Sequence, residues 1–440
     1  MKMTAFTRVL TAGVVALGFA LPAAAKVDVQ EITSPGGINV WLVEEHSIPF
    51  TALEIRFKGG ASLDAPGKRG AINLMTGLLE EGTGDMDARD FTRATESLAA
   101  SFRYSSSDDA ISISAKFLTE NRDQAIALLR DSIVAPAFND NAIERVRGQV
   151  LSNIRSDVND PNAMAGRAMA EMLYGDHPYG SDESGTIESV TALTRDDLVA
   201  AHKAAMARDR LYVSAVGDIT PDELGRIVDT LFADLPAKGA PMPDKVTPRF
   251  DGGTHVTDFD TPQSVVRFGQ PGLALEDPDF FAAYLLNVTL GGGGFESRLM
   301  QEVREKRGLT YGVYSYLADR ALSQAWVGSV ASANDRVAEA MSVIKDEWTK
   351  MHETGVTPEE LQDAKTYLTG EYPLRFDGNG PIARIMANMQ MMDMPVDYIN
   401  TRNDKIEAVT LDDVNRVARE RMDPDKLTFV VVGRPQGLSN

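Results

Sequence analysis

The amino-acid sequence contains one helix–strand pattern twice, and this internal repeat restricts the fold more than any other feature. Thr194 precedes a helical stretch that begins with acids, and the apolar stretch that follows ends at Gly217. Thr410 and Gly433 hold the same places 216 positions later. In each copy the threonine suits a helix N-cap, and the acids after it suit the positive end of the helix dipole. The repeat therefore predicts two homologous halves.

A second pair of matched helix starts supports the duplication. Asn139 begins one long helical pattern, and Thr357 begins another 218 positions later. Short alternating patterns predict strands at 53–57 and 265–268, and longer patterns predict helices at 123–134 and 335–351. The predicted fold class is α+β, with two homologous halves that each form a mixed β-sheet with helices packed on one face.

The first 25 residues have the composition of a secretory signal peptide. Lys2 and Arg8 give a positive start, residues 9–21 are apolar, and alanines at 23–25 form a small-residue cleavage site. We expect cleavage after Ala25 and export of the mature chain, to the periplasm in a Gram-negative cell. No later stretch has the roughly 18 uncharged apolar residues that a membrane span needs.

Composition divides the rest of the chain into two domains and a linker. Several prolines and the sequence Asp251-Gly252-Gly253 occur within residues 236–262, which is typical of a semi-extended linker. We therefore expect an N-terminal α+β domain at residues 26–235 and a C-terminal α+β domain at residues 263–440.

The net charge and the absent residue types exclude several classes of function. A formal net charge of −20 repels phosphate backbones and anionic lipid headgroups, so nucleic acid and membrane surfaces are poor partners. The chain has no cysteine, which excludes disulfides, thiolate nucleophiles and cysteine–zinc sites.

The histidines do not form a recognisable metal motif. The nearest two are 25 positions apart, so no H-x-x-E-H motif is present. We interpret the five histidines as surface or loop residues: His46, His177, His202, His255 and His352. A metal site assembled from distant histidines remains an alternative.

Four consecutive glycines, Gly291, Gly292, Gly293 and Gly294, follow an apolar helical pattern at residues 280–290. The run is not a phosphate-binding loop, because neither Gly-Lys-Ser/Thr nor the G-x-G-x-x-G spacing is present. It predicts either a helix stop and turn, or a hinge or backbone that must approach another group closely. The residues alone favour neither interpretation.

The segment after the glycines predicts an amphipathic helix at residues 295–307. Phe295, Leu299 and Val303 recur at i, i+4 and i+8, which predicts one buried face. Arg304 and two other basic residues lie in its last turn, where cations complement the helix dipole. That structural role alone would explain all three basic residues.

A tyrosine-rich strand is predicted directly after this helix. Gly308 suits the left-handed end of the helix. Alternation then puts Tyr311 on one strand face with Leu309 and Val313. From composition and alternation, Tyr311 is predicted to be a core aromatic residue.

The whole mature chain resembles the pitrilysin/insulinase metallopeptidases, the group that includes the mitochondrial processing peptidases. The duplicated α+β unit matches that family, as does the sequence His177-Pro178-Tyr179-Gly180, which marks the fold. The sharpest match is the run from Arg304 to Tyr311 behind the glycine-rich turn, because family members space an arginine and a tyrosine by seven. In that family the pair reaches the substrate from the C-terminal half. The resemblance thus implies that Arg304 and Tyr311 bind peptide substrate.

The resemblance also shows what this chain lacks. Counted back from Gly82, the family's H-x-x-E-H positions are Asn73, Thr76 and Gly77, and Asn153 stands at the position of the further glutamate ligand. Two amides, one hydroxyl and no side chain cannot hold zinc or activate water. The resemblance therefore implies no metal and no other cofactor in this chain, with zinc expected on a partner.

These expectations combine into one functional hypothesis with two alternatives. The chain is expected to be inactive alone and to serve as the zinc-free subunit of a heteromeric periplasmic metallopeptidase. Its partners would be a homologous subunit with the zinc motif and an unfolded peptide substrate. One alternative is a standalone peptide-binding or scaffold protein without proteolytic role. The other is an active peptidase whose metal site the sequence does not reveal.

Overall fold

The structure, a computed structural model, describes residues 27–438. The predicted signal peptide and its cleavage site after Ala25 therefore lie outside the described residues. Among residues 27–438 no helix is both long and apolar enough to cross a membrane.

Eleven strands are present in the described residues, and they form two sheets. Their bounds are β1 Gln30–Thr33, β2 Asn39–Glu44, β3 Phe50–Lys58, β4 Ser101–Ser106, β5 Ala110–Leu118, β6 Leu211–Gly217, β7 Gly253–Asp258, β8 Gln263–Pro271, β9 Val313–Arg320, β10 Ser323–Ala333 and β11 Thr428–Gly433. The first sheet has the order β1-β2-β6-β3-β5-β4, and the second has the order β7-β11-β8-β10-β9.

The two sheets share one topology. In each sheet one pair is parallel, β2 with β6 and β7 with β11, and the following pairs are antiparallel. The first sheet only adds β1 at its outer edge. The predicted α+β fold with two homologous mixed sheets is therefore confirmed.

The α-helices of the described chain are α1 Ala71–Gly77, α2 Ala88–Ser97, α3 Arg122–Val134, α4 Asp140–Asp157, α5 Pro161–Tyr174, α6 Ile187–Ala192, α7 Arg195–Ala205, α8 Pro221–Phe232, α9 Phe280–Asn287, α10 Val337–Thr354, α11 Pro358–Glu371, α12 Asn379–Met391, α13 Tyr398–Ala408 and α14 Leu411–Arg421. The repeated threonines begin α7 and α14 as predicted. Thr194 accepts a hydrogen bond from the backbone of Asp197, and Thr410 accepts one from Asp413. Each aspartate accepts one back from its threonine's backbone N–H, which completes a capping box.

Helices cover one face of each sheet and enclose an apolar core. In the first half α1, α3, α7 and α8 supply buried side chains to the core under β3 and β5. In the second half α9, α10, α11 and α14 do the same under β8 and β10. Burial of these apolar side chains is the main stabilising contribution to each half.

A helix from the other half of the sequence covers part of the opposite face of each sheet. Met386 and Met389 of α12 pack with Trp41 of the first sheet. Met169 of α5 packs with Val430 of the second sheet. The structure thus adds one crossing helix to each predicted sheet and joins the halves through three apolar clusters, one under α12 and two along α5.

One strand lies inside the segment predicted to be linker. β7 runs from Gly253 to Asp258 and pairs with β11, whereas the linker prediction extends to residue 262. Gly252 and Gly253 adopt positive φ, which only suits glycine well, and they turn the chain into this strand. The prediction is wrong for β7 because an exposed edge strand carries little apolar alternation, here only Val256.

Candidate functional site

The first two glycines of the run continue a helix and do not stop it. The chain extends α9 by a π-helical turn at Val288–Gly292, so the predicted stop at residue 290 is wrong. The reason is close packing on β9. A Cβ at Gly291 would lie 2.5 Å from the hydroxyl oxygen of Ser315 and 2.8 Å from its backbone nitrogen. Gly294 is different, because it has φ +63° and open space around it, and it makes the turn.

A buried asparagine holds the glycine run against the sheet. The Oδ1 atom of Asn287 accepts hydrogen bonds from the hydroxyl of Ser315 at 2.8 Å and from the indole N–H of Trp326 at 2.9 Å. A Cβ at Gly292 would lie 2.6 Å from the Asn287 amide nitrogen. A Cβ at Gly293 would lie 2.8 Å from a carbonyl oxygen of the preceding turn. The run is thus a tightly packed support and not a hinge.

The segment predicted as one α-helix at residues 295–307 is irregular. A 3-10 turn at Gly294–Glu296 comes first, and a π-helical segment at Met300–Glu305 follows. Leu299 and Val303 are fully buried as predicted, but Phe295 is 60% exposed. The tighter first turn takes Phe295 out of the i, i+4 series, so its prediction as a buried residue is wrong.

Arg304 is distinguished from its basic neighbours by what it contacts. Lys306 and Arg307 both pair with Glu302, at 2.5 Å and 2.6 Å. Arg304 instead places its guanidinium carbon 4.6 Å from the ring centroid of Phe295. The side chain is 31% exposed, and its nearest carboxylate belongs to the next residue, at 3.6 Å. Arg304 therefore presents a cation on an exposed aromatic ring, with free donor capacity.

Tyr311 is the most exposed large side chain of this region. It is 88% exposed and precedes β9, so the prediction of a core aromatic residue is wrong. The hydroxyl of Thr310 donates to the carbonyl of Ala331 at 2.7 Å and accepts from the backbone two residues ahead. This turn interrupts the alternation, so Leu309 and Val313 are buried while the tyrosine between them faces out.

One turn carries both predicted substrate-binding side chains. Gly308 has φ +58° and donates its N–H to the carbonyl of Arg304 at 2.7 Å, which ends the helical segment. Arg336 closes the same end by donating to the carbonyls of Gly308 and Arg307 at 2.9 Å and 2.8 Å. In the described chain no hydrogen bond joins Arg304 to Tyr311, and the Tyr311 hydroxyl bonds to no other residue. Both donors remain open to an outside acceptor.

The positions that resemble a zinc site lie on α1 and α4 and carry no metal ligands. Thr76 donates its hydroxyl to a carbonyl of its own helix at 2.8 Å, and Asn73 accepts from a β4 serine at 3.2 Å. A Cβ at Gly77 would lie 3.2 Å from Val146 of α4, and Asn153 is exposed. Across residues 27–438 no three His, Cys, Asp or Glu side chains come close enough to hold a metal ion.

Two histidines are helical and satisfied by backbone carbonyls. His202 of α7 is buried, and its ring lies 2.7 Å from the carbonyl oxygen of Ile133. Burial lowers the pKa of His202, which favours the neutral ring. His352 of α10 contacts the carbonyl of Met422 at 2.7 Å. The interpretation as a surface or loop residue is therefore wrong for His202, whose carbonyl partner satisfies the buried ring. His352 lies on a helix and is half-buried.

The tips of two equivalent hairpins meet between the halves, which the sequence did not indicate. The β4–β5 tip provides Asp108, which accepts from Arg69 at 2.6 Å and from Arg320 at 2.6 Å. Arg320 ends β9 and belongs to the opposite hairpin, β9–β10. One carboxylate thus bridges a cation of each half.

Tyr179, part of the sequence that marks the family fold, completes this contact. Its hydroxyl donates to Asp109 and accepts from the backbone N–H of Leu322 at 3.1 Å. The guanidinium of Arg320 lies 3.4 Å from its ring centroid. Burial and the neighbouring Asp109 raise the pKa of Tyr179. The tyrosine therefore joins the two hairpins as a neutral phenol.

Two family models match adjacent parts of this chain. Residues 39–186 match the description "Insulinase (Peptidase family M16)", and residues 192–368 match "Peptidase M16 inactive domain".

Relatives along the full length carry two kinds of name. A protein of Helicobacter pylori called "Non-peptidase homolog YmxG" is 26% identical over 389 residues, covering 88% of this chain and 90% of the relative. An "Uncharacterized zinc protease" of Streptomyces coelicolor is 28% identical over 424 residues, covering 93% of this chain and 89% of the relative.

Solved structures share the fold over nearly the whole chain. A crystal structure described as the peptidase M16 inactive domain from Pseudomonas fluorescens has a TM-score of 0.86 and 27% identity, covering 94% of this chain and 99% of that one. A Helicobacter pylori protease structure has a TM-score of 0.83, covers 92% and 99%, and at 19% identity supports the fold alone.

Proposed function

Because the chain belongs to the insulinase family of peptidases, family M16, we propose that it is the zinc-free subunit of a heteromeric zinc metallopeptidase. The coarser part of this proposal, a non-peptidase homologue within the family, is supported by the relative named as such and by the similar inactive-domain structure. In the proposal the chain is exported after cleavage at Ala25 and works in the periplasm.

One contrast carries the proposal. The positions that hold zinc in the family that this chain resembles are occupied here by Asn73, Thr76, Gly77 and Asn153, which supply no metal site. The opposite half keeps an arginine and a tyrosine at the family spacing, and both side chains have unused donors. A chain with the donors but without the metal is suited to assist a second chain that has the metal.

The two donors suit the chemistry of peptide cleavage. A zinc ion on the partner would polarise the scissile carbonyl and supply the activated water. The Arg304 guanidinium and the Tyr311 phenol can donate to the substrate carbonyl and to the oxyanion that it becomes. Their contribution would be to orient the peptide and to stabilise charge that develops during the reaction.

The surroundings of Tyr311 suit an extended peptide. The residue lies two positions before β9, and β9 is the edge strand of the second sheet. Tyr314 and Tyr316 stack on the open face of that strand, with ring centroids 6.4 Å apart. An unfolded peptide can add to such an edge through backbone hydrogen bonds, while aromatic rings contact its side chains.

A reconstitution experiment tests the proposal. The mature chain is purified from periplasm together with any protein that accompanies it. A homologue with an H-x-x-E-H motif found in this way is then mixed with the chain, and cleavage of a quenched-fluorescence peptide is measured. We expect cleavage only by the mixture, and a loss of about 100-fold or more when Arg304→Ala and Tyr311→Phe are combined, because each removes a transition-state donor. Arg307→Ala, beside the site but paired with Glu302, and the exposed Tyr367→Phe serve as matched controls.

Three results would contradict the proposal, and two of them would favour an alternative function. Full activity of the double variant would show that these donors do not serve catalysis. A stable monomer or homodimer without a zinc-bearing companion would favour the standalone peptide-binding or scaffold protein. Stoichiometric zinc and cleavage by the pure chain would establish an active peptidase.

A further inference from the structure

The second face of the first sheet is only partly covered. Helix α12 packs over β2, β6 and β3, where Met386 lies with Trp41. It reaches β5 only at its first turn, where a Cβ at Gly380 would lie 3.2 Å from Lys116, and it leaves the same face of β4 open. Lys116 of β5 and Arg103 of β4 are exposed there. The uncovered area is therefore a sheet face and an adjoining sheet edge.

This open face is basic. Backbone register puts Arg56, Lys116 and Arg103 on it in adjacent strands. Arg384 of α12 borders it and interacts with both Glu54 and Arg56. Glu54 is the only acidic residue of β3, β4 and β5, and Arg56 neutralises it at 2.9 Å. The remaining charge is positive.

Three of these cations have no carboxylate of their own. Arg103, Lys116 and Arg384 form no ion pair at 4.0 Å or less with any residue between 27 and 438. The chain as a whole has 64 acidic and 44 basic residues, so acids were available in excess to pair them. A cluster of unpaired cations in an acidic protein creates a local potential that attracts anionic groups.

The free edge of β4, beside this face, determines how a bound peptide would place its acidic side chains. β4 ends the sheet order and pairs only with β5, so half of its backbone groups point away from the sheet. A peptide added there would turn alternate side chains toward the basic face. The side chain opposite Arg103 would have its Cβ about 5 Å away. A side chain two positions along would face Ser101, the register partner of Lys116.

We propose that the β4 edge and the basic face bind an extended acidic peptide that carries carboxylates at alternating positions. The inference rests on the proposed peptide-binding function and adds the class of peptide. The net charge of −20 opposes a nucleic acid, whose phosphates would meet the acidic surface around the site. A peptide instead places a few carboxylates on the cations and uses its backbone on the edge.

The proposed site is connected to the one at Arg304 and Tyr311. The hairpin that follows β4 and the hairpin that follows β9 meet at their tips, where Asp108 binds Arg320 at 2.6 Å. Both edge strands therefore lead into the same contact. The open face of β9 and of its neighbour β10 also carries no aspartate or glutamate, and Arg267 of β8 lies beside it, opposite Ser329.

Peptide binding to the mature chain tests the inference. Two labelled peptides of equal length, one alternating threonine with glutamate and one alternating threonine with glutamine, are titrated by fluorescence anisotropy at low salt. We expect the glutamate peptide to bind about tenfold tighter, because a few partly exposed ion pairs contribute together about 1.4 kcal/mol. The preference should shrink as salt screens the charges.

Charge reversal then locates the site. Arg103→Glu combined with Lys116→Glu should weaken binding of the glutamate peptide about tenfold or more and abolish its advantage over the glutamine peptide. Lys238→Glu is the matched control, an exposed lysine in the loop before the second sheet, and should change affinity by about twofold or less. Circular dichroism verifies folding, and alanine at the same two positions replaces glutamate if the reversal unfolds the sheet.

Each other outcome has a defined meaning. Equal binding of the two peptides would overturn the acidic preference and leave the proposed peptide-binding function intact. Absence of binding by both peptides would overturn the inference, whereas the reconstitution experiment decides the proposed function separately. Equal weakening by Lys238→Glu would show that only net charge matters. Displacement by a single-stranded oligonucleotide at matched charge would identify a nucleic acid site in place of a peptide site.

Discussion

Replacing Met386 by alanine tests whether the first sheet depends on a helix from the other half of the sequence. Met386 is 0% exposed and lies with Trp41 in the cluster between α12 and the first sheet. Removing three non-hydrogen atoms from this cluster loses about 2 kcal/mol of transfer free energy, at roughly 0.8 kcal/mol per methylene-sized group. The space left behind adds about 1–2 kcal/mol, so unfolding should become easier by about 3–4 kcal/mol.

Tryptophan fluorescence in urea separates the two halves. The chain has three tryptophans: Trp41 in the first sheet, and Trp326 and Trp348 in the second core. Trp41→Phe leaves the signals of the second half, and Trp326→Phe with Trp348→Phe leaves the signal of the first. Because α5 and α12 each cross to the opposite sheet, we expect both signals to change at one midpoint.

The Met386→Ala variant should move that common midpoint to lower urea in both tryptophan backgrounds. Met242→Ala, at a partly exposed methionine, is the control and should shift the midpoint little. A Trp41 transition that Met386→Ala leaves unchanged would refute the reasoning, because it would mean that α12 does not stabilise the first sheet.

Three further predictions concern pH, packing and the contact between halves. Burial raises the pKa of Asp64 to about 6 from 3.8, so the stability that it contributes is full below pH 3.8 and is lost as pH rises through 6. Between pH 4 and 7 the wild type should lose about 2 kcal/mol more than Asp64→Asn in urea titrations, and parallel curves would contradict this. Gly291→Ala should cost about 2 kcal/mol through its overlap with β9, whereas Gly312→Ala, with open space around it, should be near neutral in thermal unfolding; equal effects would refute the packing argument. Tyr179→Phe removes the acceptor of the Leu322 N–H and should cost about 1–3 kcal/mol by calorimetry; an unchanged midpoint would mean that the hairpin contact does not stabilise the chain.

The helix caps, and the duplication that they reveal, could be predicted because each cap depends only on residues close together in the sequence. A capping box needs only a threonine and an acid three positions later, so Thr194 and Thr410 begin helices wherever those helices pack. The missing zinc ligands also follow from residue identity alone, because Asn73, Thr76 and Gly77 cannot coordinate zinc in any fold.

The exposure of the candidate site could not be predicted in the same way. Alternation predicted Tyr311 in the core, but a hydrogen bond from Thr310 to Ala331, 21 residues later on β10, turns the tyrosine outward. Periodicity predicted that Phe295 is buried. Close packing of the glycine run on β9 instead produces a different turn, which leaves the Phe295 ring exposed beneath Arg304. Each outcome depends on a partner that is distant in the sequence.

The sequence by itself determined that there are two homologous α+β halves, that no zinc motif is present, and that an arginine and a tyrosine stand seven positions apart. Those properties are local or compositional. Only the tertiary structure decided that α5 and α12 exchange between the halves, that the hairpin tips meet at Tyr179, and that both donors face outward. These features arise from contacts between distant segments, whose free energy depends on which surfaces meet and not on the order of residues within either segment.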